Sequence, residues 1–194
     1  MITHPFFSCY NDVGDSMRIF VGIPISDASK NWVVQGQKQL IPWMTKGRLT
    51  DPDLFHITLL FIGEMTTDQV EAWDRKLNQL FADERSFEVS FLNFGLFKKR
   101  EDVLWIGVHQ GSERLYELHK KVLESYSTLN LQVINPSFHP HLTIARNVKL
   151  GQQFDINSLS LSEKKLNINC IHIYLSHQVD GKLTYTPLYT YRLQ

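Results

Sequence analysis

The sequence predicts an α+β domain built from two similar lobes. Three observations predict it. Segments with two-residue apolar alternation interleave with segments at helical spacing. The length of 194 residues suits a single domain. One short pattern, His-apolar-Thr-apolar, occurs twice in strand context, within 55–59 and 140–144, its histidines 85 residues apart and so nearly half a chain apart.

The elements follow in order. Residues 1–16 mix Pro, Gly, Asn and Asp without a period and are read as an irregular extension; residues 17–194 are read as one two-lobed domain. A β-branched and aromatic run over 18–23 stops at Pro24, as a strand does. Ser26 and Asp27 offer N-cap chemistry for a helix through Leu40, which Pro42 closes. Asp51-Pro52-Asp53 is a turn, and 54–62 a strand ended by Gly63. Thr66, Thr67 and Asp68 open a helix over 69–81, with Val70, Trp73, Leu77 and Leu80 on one face. Strands are predicted over 87–97 and 103–108, joined by the charged run 98–102. A third helix covers 113–127, with Leu115, Leu118, Val122 and Leu123 on one face. Residues 138–145 and 166–176 read as strands, and 182–193 as an edge strand because Pro187 interrupts it. Asp180-Gly181 before that strand is a hairpin signal.

Composition narrows the function. Lys+Arg and Asp+Glu are 20 each, so the formal net charge is zero. A protein that coats nucleic acid depends on a basic excess, which is missing here, although a local basic cleft is compatible with neutrality. The expected salt dependence of substrate binding is therefore shallow. Two cysteines, Cys9 and Cys170, make neither a disulfide framework nor a metal motif. With no signal-peptide pattern and no apolar run near the ~20 residues of a membrane span, the expected location is cytoplasmic, with no membrane partner.

The repeated motif carries the chemistry. In a strand, residues i and i+2 share a face, so His56 and Thr58 point one way and Ile57 and Leu59 the other; His141 and Thr143 repeat this opposite Leu142 and Ile144. Two strands set across a groove would bring two imidazoles and two hydroxyls together. Two histidines can serve as general acid and general base in one reaction. Threonine hydroxyls can donate to phosphate oxygens, and the nearby Arg146 can bind a phosphate through paired hydrogen bonds. One HxT is commonplace and reads as a satisfied structural histidine; two copies between alternating aliphatics are not. The His139-x-His141 pair supplies only two ligands where zinc needs three or four, so no metal site is expected. By strand parity His139 can line the groove beside His141. Lys98, Lys99 and Arg100 are a solvated loop or a rim contact for a phosphate. His4, His109, His119, His172 and His177 read as structural or solvated, His119 as solvated on its helix. Phe20, Trp43 and Trp105 are core candidates.

On these residues the chain resembles the 2H phosphoesterase superfamily, named for its two HxT motifs. Within it, the chain is similar to the bacterial RNA 2′,3′-cyclic phosphodiesterase branch, also called 2′-5′ RNA ligase or LigT-like. The matching segments are RIFVGIPI (18–25), FHITLLFIGE (55–64), VLWIGV (103–108), FHPHLTIAR (138–146) and IYLSHQVDGKLTYTPL (173–188). The resemblance implies a bilobal α+β fold in which two pseudo-twofold-related antiparallel sheets flank a central groove, with helices outside. It implies His56 and His141 as catalytic, Thr58 and Thr143 as phosphate-binding, and Arg146 as the motif-adjacent arginine of this branch. Many relatives carry a basic residue where Leu60 stands and an aromatic where Leu49 stands.

The implied reaction is hydrolysis of an RNA 2′,3′-cyclic phosphate end, or of a cyclic nucleotide, to a 2′-phosphate, by a monomer without cofactor or metal. His141 is taken as base and His56 as acid, a direction the motifs leave open. The same two histidines would serve 2′-5′ ligation or cleavage of a 2′-5′ linkage. A noncatalytic RNA-end binding module would have no use for a paired acid and base.

Overall fold

A computed structural model describes residues 16–98, 100, 102–133 and 136–194. The expected extension over 1–16 thus lies, apart from Ser16, outside the described residues. The elements are β1 (Met17–Pro24), α1 (Asp27–Leu40), β2 (Met44–Leu49), β3 (His56–Met65), α2 (Thr67–Phe81), β4 (Phe87–Phe97), β5 (Asp102–Gln110), α3 (Ser112–Ser127), β6 (His141–Leu150), β7 (Lys164–Ile168), β8 (Cys170–Val179) and β9 (Lys182–Arg192).

All strand pairs are antiparallel, in the order β7-β4-β5-β6-β3-β1-β8-β9, with β2 on β6 as a side branch. The two expected sheets meet at a seam: β3 and β6 touch through one residue pair, Ile57 and Leu142. On one side lie β3, β1, β8 and β9, covered by α2 and α3; on the other lie β6, β5, β4 and β7, with α1 against β6.

The helices bury the faces that their periodicity marks. In α2, Val70, Trp73, Leu77 and Phe81 are buried, each large side chain contributing ~1.5–3 kcal/mol; Phe81 takes the place expected for Leu80. Thr66 and Gln69 form a reciprocal capping box at its start. In α3, Leu115, Leu118 and Val122 are buried, and so is His119, only 8% exposed where a solvated position was expected.

Other expectations shift. Gly63 lets β3 continue rather than end, with φ at 95° that other residues rarely adopt. The expected strand over 166–176 is two strands, because Asn169 carries the chain from β7, paired with β4, to β8, paired with β1. Apolar alternation is the same on either partner, so periodicity could not show the crossing. The segment MTKGRL of β2 has no apolar alternation to announce it and pairs with β6 through the backbone ladder, with the Thr45 hydroxyl donating to the Lys149 carbonyl at 3.1 Å. The edge strand β9 and its Asp180-Gly181 turn, both residues at positive φ, match the sequence reading.

Candidate active site

The β3–β6 seam sets the site. Antiparallel register about the Ile57–Leu142 pair puts His56 opposite Thr143 and Thr58 opposite His141. A local twofold thus runs between Ile57 and Leu142, which are fully buried, and both histidines and both threonines lie on the opposite, groove face.

Strict alternation would carry Arg146 away from His141 and Thr143. A β-bulge prevents this. On β5, consecutive Leu104 and Trp105 pair with Ala145 and Thr143, so Ile144 is an extra residue and parity flips after it. Arg146 therefore lines the groove. The first motif repeats the device: Val21 and Gly22 pair with Leu60 and Thr58, making Leu59 the extra residue and turning Phe61 into the groove. Phe61 follows His56 by the same interval as Arg146 follows His141.

Both bulges are held by a buried polar side chain from a helix. The Ile144 carbonyl accepts from Gln37 Nε2 of α1 at 2.8 Å and from the Thr50 amide at 2.9 Å. The Leu59 carbonyl faces His119 Nδ1 of α3 at 2.8 Å. Gln37 Nε2 also reaches the Thr50 carbonyl, and His119 Nε2 faces that of Pro136 at 3.2 Å, each on the approach to the other motif. Phe138 stacks on His119 instead of joining β6, so the strand starts at His141 rather than at Phe138.

The imidazoles are oriented alike. His56 Nδ1 donates to the Leu54 carbonyl at 2.7 Å, and His141 Nδ1 to that of His139 at 2.6 Å. Each acceptor lies two residues upstream. His56 Nε2 lies 2.9 Å from the Thr58 hydroxyl, which donates to the neutral ring. Aromatic walls back both rings, Phe20 and Tyr185 at His56, Phe97 and Trp105 at His141. Trp105 lies across Gly95, its cross-strand partner, where a Cβ would come within 2.1 Å of the indole. Burial lowers the His56 pKa to about 4, outweighing the Leu54 carbonyl; the charges of Arg146 and His141 add to the lowering. Burial also pushes Arg146 below its ordinary range, and Arg48 adds to this.

Three adjoining cavities meet at Arg146. One of about 310 Å³ runs past His56 and Thr143 to Leu49, Asp51 and Lys182. A second of about 330 Å³ holds His139, His141, Thr58 and Thr143. A third of about 430 Å³ holds His56 and Thr58 with Arg18, Arg48, Ser176 and Gln178.

His56, Thr58, His141, Thr143 and Arg146 are thus brought together, and His139 lines the groove as its parity suggested, T-shaped on Trp105. Lys98 and Arg100 are exposed and line none of the three cavities; Lys99 lies outside the described residues. Phe20 is buried, whereas Trp43 and Trp105 are half-buried, the latter as a wall of the site. Sequence reasoning missed Arg48, Arg18 and Tyr185, which sit outside any motif. His172 and His177 bond the hydroxyls of Thr190 and Thr186 at 2.8 Å. Among the described residues, no three His, Cys, Asp or Glu side chains stand close enough to hold a metal ion, and no helix is long and apolar enough to cross a membrane.

A sequence profile of the 2′-5′ RNA ligase superfamily matches residues 52–180. An Aquifex aeolicus protein named RNA 2′,3′-cyclic phosphodiesterase is 31% identical over 146 residues, covering 74% of this chain and 77% of its own. An Archaeoglobus fulgidus protein of the same name is 30% identical over 132 residues, covering 67% and 72%. The crystal structure of Escherichia coli LigT in apo form superposes with a TM-score of 0.78 at 21% identity, covering 93% of this chain and 99% of that one. This last likeness concerns the fold.

Proposed function

The chain belongs to the 2′-5′ RNA ligase superfamily, and we propose that it hydrolyses 2′,3′-cyclic phosphate ends of RNA to 2′-phosphates, with His56 and His141 as the acid–base pair. One observation carries the reading. Two HxT motifs face each other across the seam, each histidine tied through Nδ1 to a carbonyl two residues upstream, so both Nε2 atoms address one groove. The curated relatives, named for this activity, support the substrate class.

The lowered His56 pKa favours one direction, the reverse of the expected order with His141 as base and His56 as acid, which the motifs leave open. His56 is neutral at pH 7 and accepts a proton at Nε2 from water as the water oxygen attacks phosphorus. The bond from phosphorus to O3′ breaks, and protonated His141 donates its Nε2 proton to the leaving oxygen. The products are a 2′-phosphate and a 3′-hydroxyl. Opposed placement across the twofold suits in-line displacement. Thr58, Thr143 and Arg146 donate to the non-bridging oxygens, where charge is held as the bonds exchange.

The test is a cyclic-ended oligonucleotide incubated with and without a 5′-hydroxyl partner strand. A 2′-phosphate as main product supports the reading. A 3′-phosphate overturns the regiochemistry, and a ligated strand as main product overturns the hydrolase. Tight binding without turnover, unaffected by His56→Ala or His141→Ala, makes the protein an RNA-end binding module instead. In this reading the protein works as a monomer, in the cytoplasm and without a metal; sedimentation at working concentration checks the first.

A further inference from the structure

The cavity of about 430 Å³ beside His56 is lined by three guanidinium groups, Arg18, Arg48 and Arg146, with Ser176 and Gln178 as neutral donors and no carboxylate in its wall. Among the described residues none of these arginines makes a direct ion pair, although Glu64 stands opposite Arg18 in the β1–β3 ladder outside the cavity wall, whereas Lys30, Arg114, Lys121, Lys165 and Lys182 each do. Arg48 and Arg146 stand directly opposite one another in the β2–β6 ladder. Like charges opposed in a ladder destabilise a sheet, and local conflicts of this kind mark functional sites. Arg18 comes from β1, its guanidinium 5.1 Å above the ring of Phe61. Phe61 is the twofold counterpart of Arg146, so Arg18 supplies on the first-motif side the cation that Arg146 supplies on the second.

The cavity shares His56, Thr58 and Arg146 with the proposed reaction centre but extends beyond it, past Arg18, Ser176 and Gln178. One cyclic phosphate between the histidines does not use Arg18 or Arg48. We infer that this cavity binds a second phosphate, the one esterified to the 5′ oxygen of the same terminal nucleotide. That phosphate lies one ribose away from the cyclic end. It is the internucleotide diester in an RNA and a monoester in a free nucleotide; the chemistry recognised is common to both. The inference rests on the reading of the groove as the site for a cyclic phosphate end.

Calorimetric titration with adenosine 2′-monophosphate and adenosine 2′,5′-bisphosphate tests it without turnover. The bisphosphate should bind about tenfold tighter, the gain of one added set of charge-assisted hydrogen bonds. Arg18→Gln and Arg48→Gln should each cut this advantage to about threefold, and the double variant should abolish it. Retained binding of the monophosphate reports an intact groove; if it is lost, the wild-type protein still decides through its own bisphosphate advantage. Equal affinities, or an advantage that survives the double variant, overturn the subsite. Turnover then separates the sources. Adenosine 2′,3′-cyclic phosphate with a 5′-hydroxyl, its 5′-phosphorylated form and a cyclic-ended dinucleotide are compared by KM. A lower KM for both phosphate-bearing substrates assigns the subsite to any 5′-phosphate, and one for the dinucleotide alone assigns it to RNA. If no cyclic phosphate is opened but the bisphosphate advantage depends on Arg18 and Arg48, the hydrolase reading falls and the subsite stands. If all three are opened at the same kcat/KM, the subsite falls and the hydrolase reading stands.

Discussion

Gln37 and His119 hold equivalent posts in the two halves of the molecule. Each is buried, each projects from a helix, and each bonds the carbonyl of the extra residue in one motif strand, Ile144 for Gln37 and Leu59 for His119. Each also reaches the segment leading into the other motif. The two side chains fasten the bulges that set the groove face after each HxT.

Gln37→Leu takes one of two donors from the Ile144 carbonyl, which keeps the Thr50 amide, and the side-chain donor from the Thr50 carbonyl; His119→Phe takes the side-chain partner from the Leu59 carbonyl. Gln37→Leu and His119→Phe are each expected to cost about 1–3 kcal/mol in denaturant unfolding. Gln37→Leu should also lower kcat more than it raises KM, because Arg146 loses its fixed aim. An unchanged unfolding midpoint in both would show that the backbone holds the bulges alone.

His56→Ala and His141→Ala should each reduce kcat by about 10²–10⁴, the usual worth of a positioned acid or base. Thermal unfolding should change little for His141, which is half-buried. Full activity in either variant removes that histidine from the reaction.

The pH dependence discriminates between base and acid. With His56 as base, kcat/KM of the free protein should hold down to an acidic limb near pH 4. With His56 as acid, kcat/KM would instead decline as pH rises above that value. An anionic phosphate beside the ring favours the imidazolium, so the corresponding limb of kcat should lie higher.

Stability carries the same titration. The folded pKa of about 4 lies below the ordinary 6.5, so between these values the unfolded chain binds the extra proton. The contribution is complete above pH 6.5 and is lost as pH falls toward 4. Partial solvent access at the groove keeps it on the order of 2 kcal/mol. Denaturation at pH 7 and pH 4.5 should show the loss, and His56→Gln should flatten it.

Arg146→Lys keeps a charge but loses the paired donors of the guanidinium. A fall of about tenfold or more in kcat/KM is expected. Recovery of wild-type values in the lysine variant would mean that Arg146 acts only as a point charge. Activity should also survive EDTA; loss on chelation and recovery with added metal would contradict acid–base catalysis by the histidines alone.

Much of the fold and of the site was legible in the chain itself. The strand runs and the helix faces bury as their periods indicate, because apolar side chains on one face have one stable place to go. The paired HxT motifs define the groove residues for the same reason. Arg146 was legible by proximity to the motif, but parity alone would have turned it away. Bulges come from backbone pairing with a neighbouring strand and leave no local pattern. His119 was misread because a polar residue on a helix is ordinarily solvated, and only tertiary packing supplies the carbonyls that satisfy it.

The sequence by itself determined the two lobes, the paired histidines and threonines, and a balanced total charge. The tertiary structure decided where that charge sits. Arg18, Arg48 and Arg146 come from three strands and two bulged registers, yet share one cavity without a carboxylate. Net charge sums over the chain, whereas a phosphate responds to the few groups within hydrogen-bonding reach. A neutral protein can thus present a strongly basic pocket, and the salt dependence should be steeper for a substrate that carries the second phosphate than total charge alone suggests.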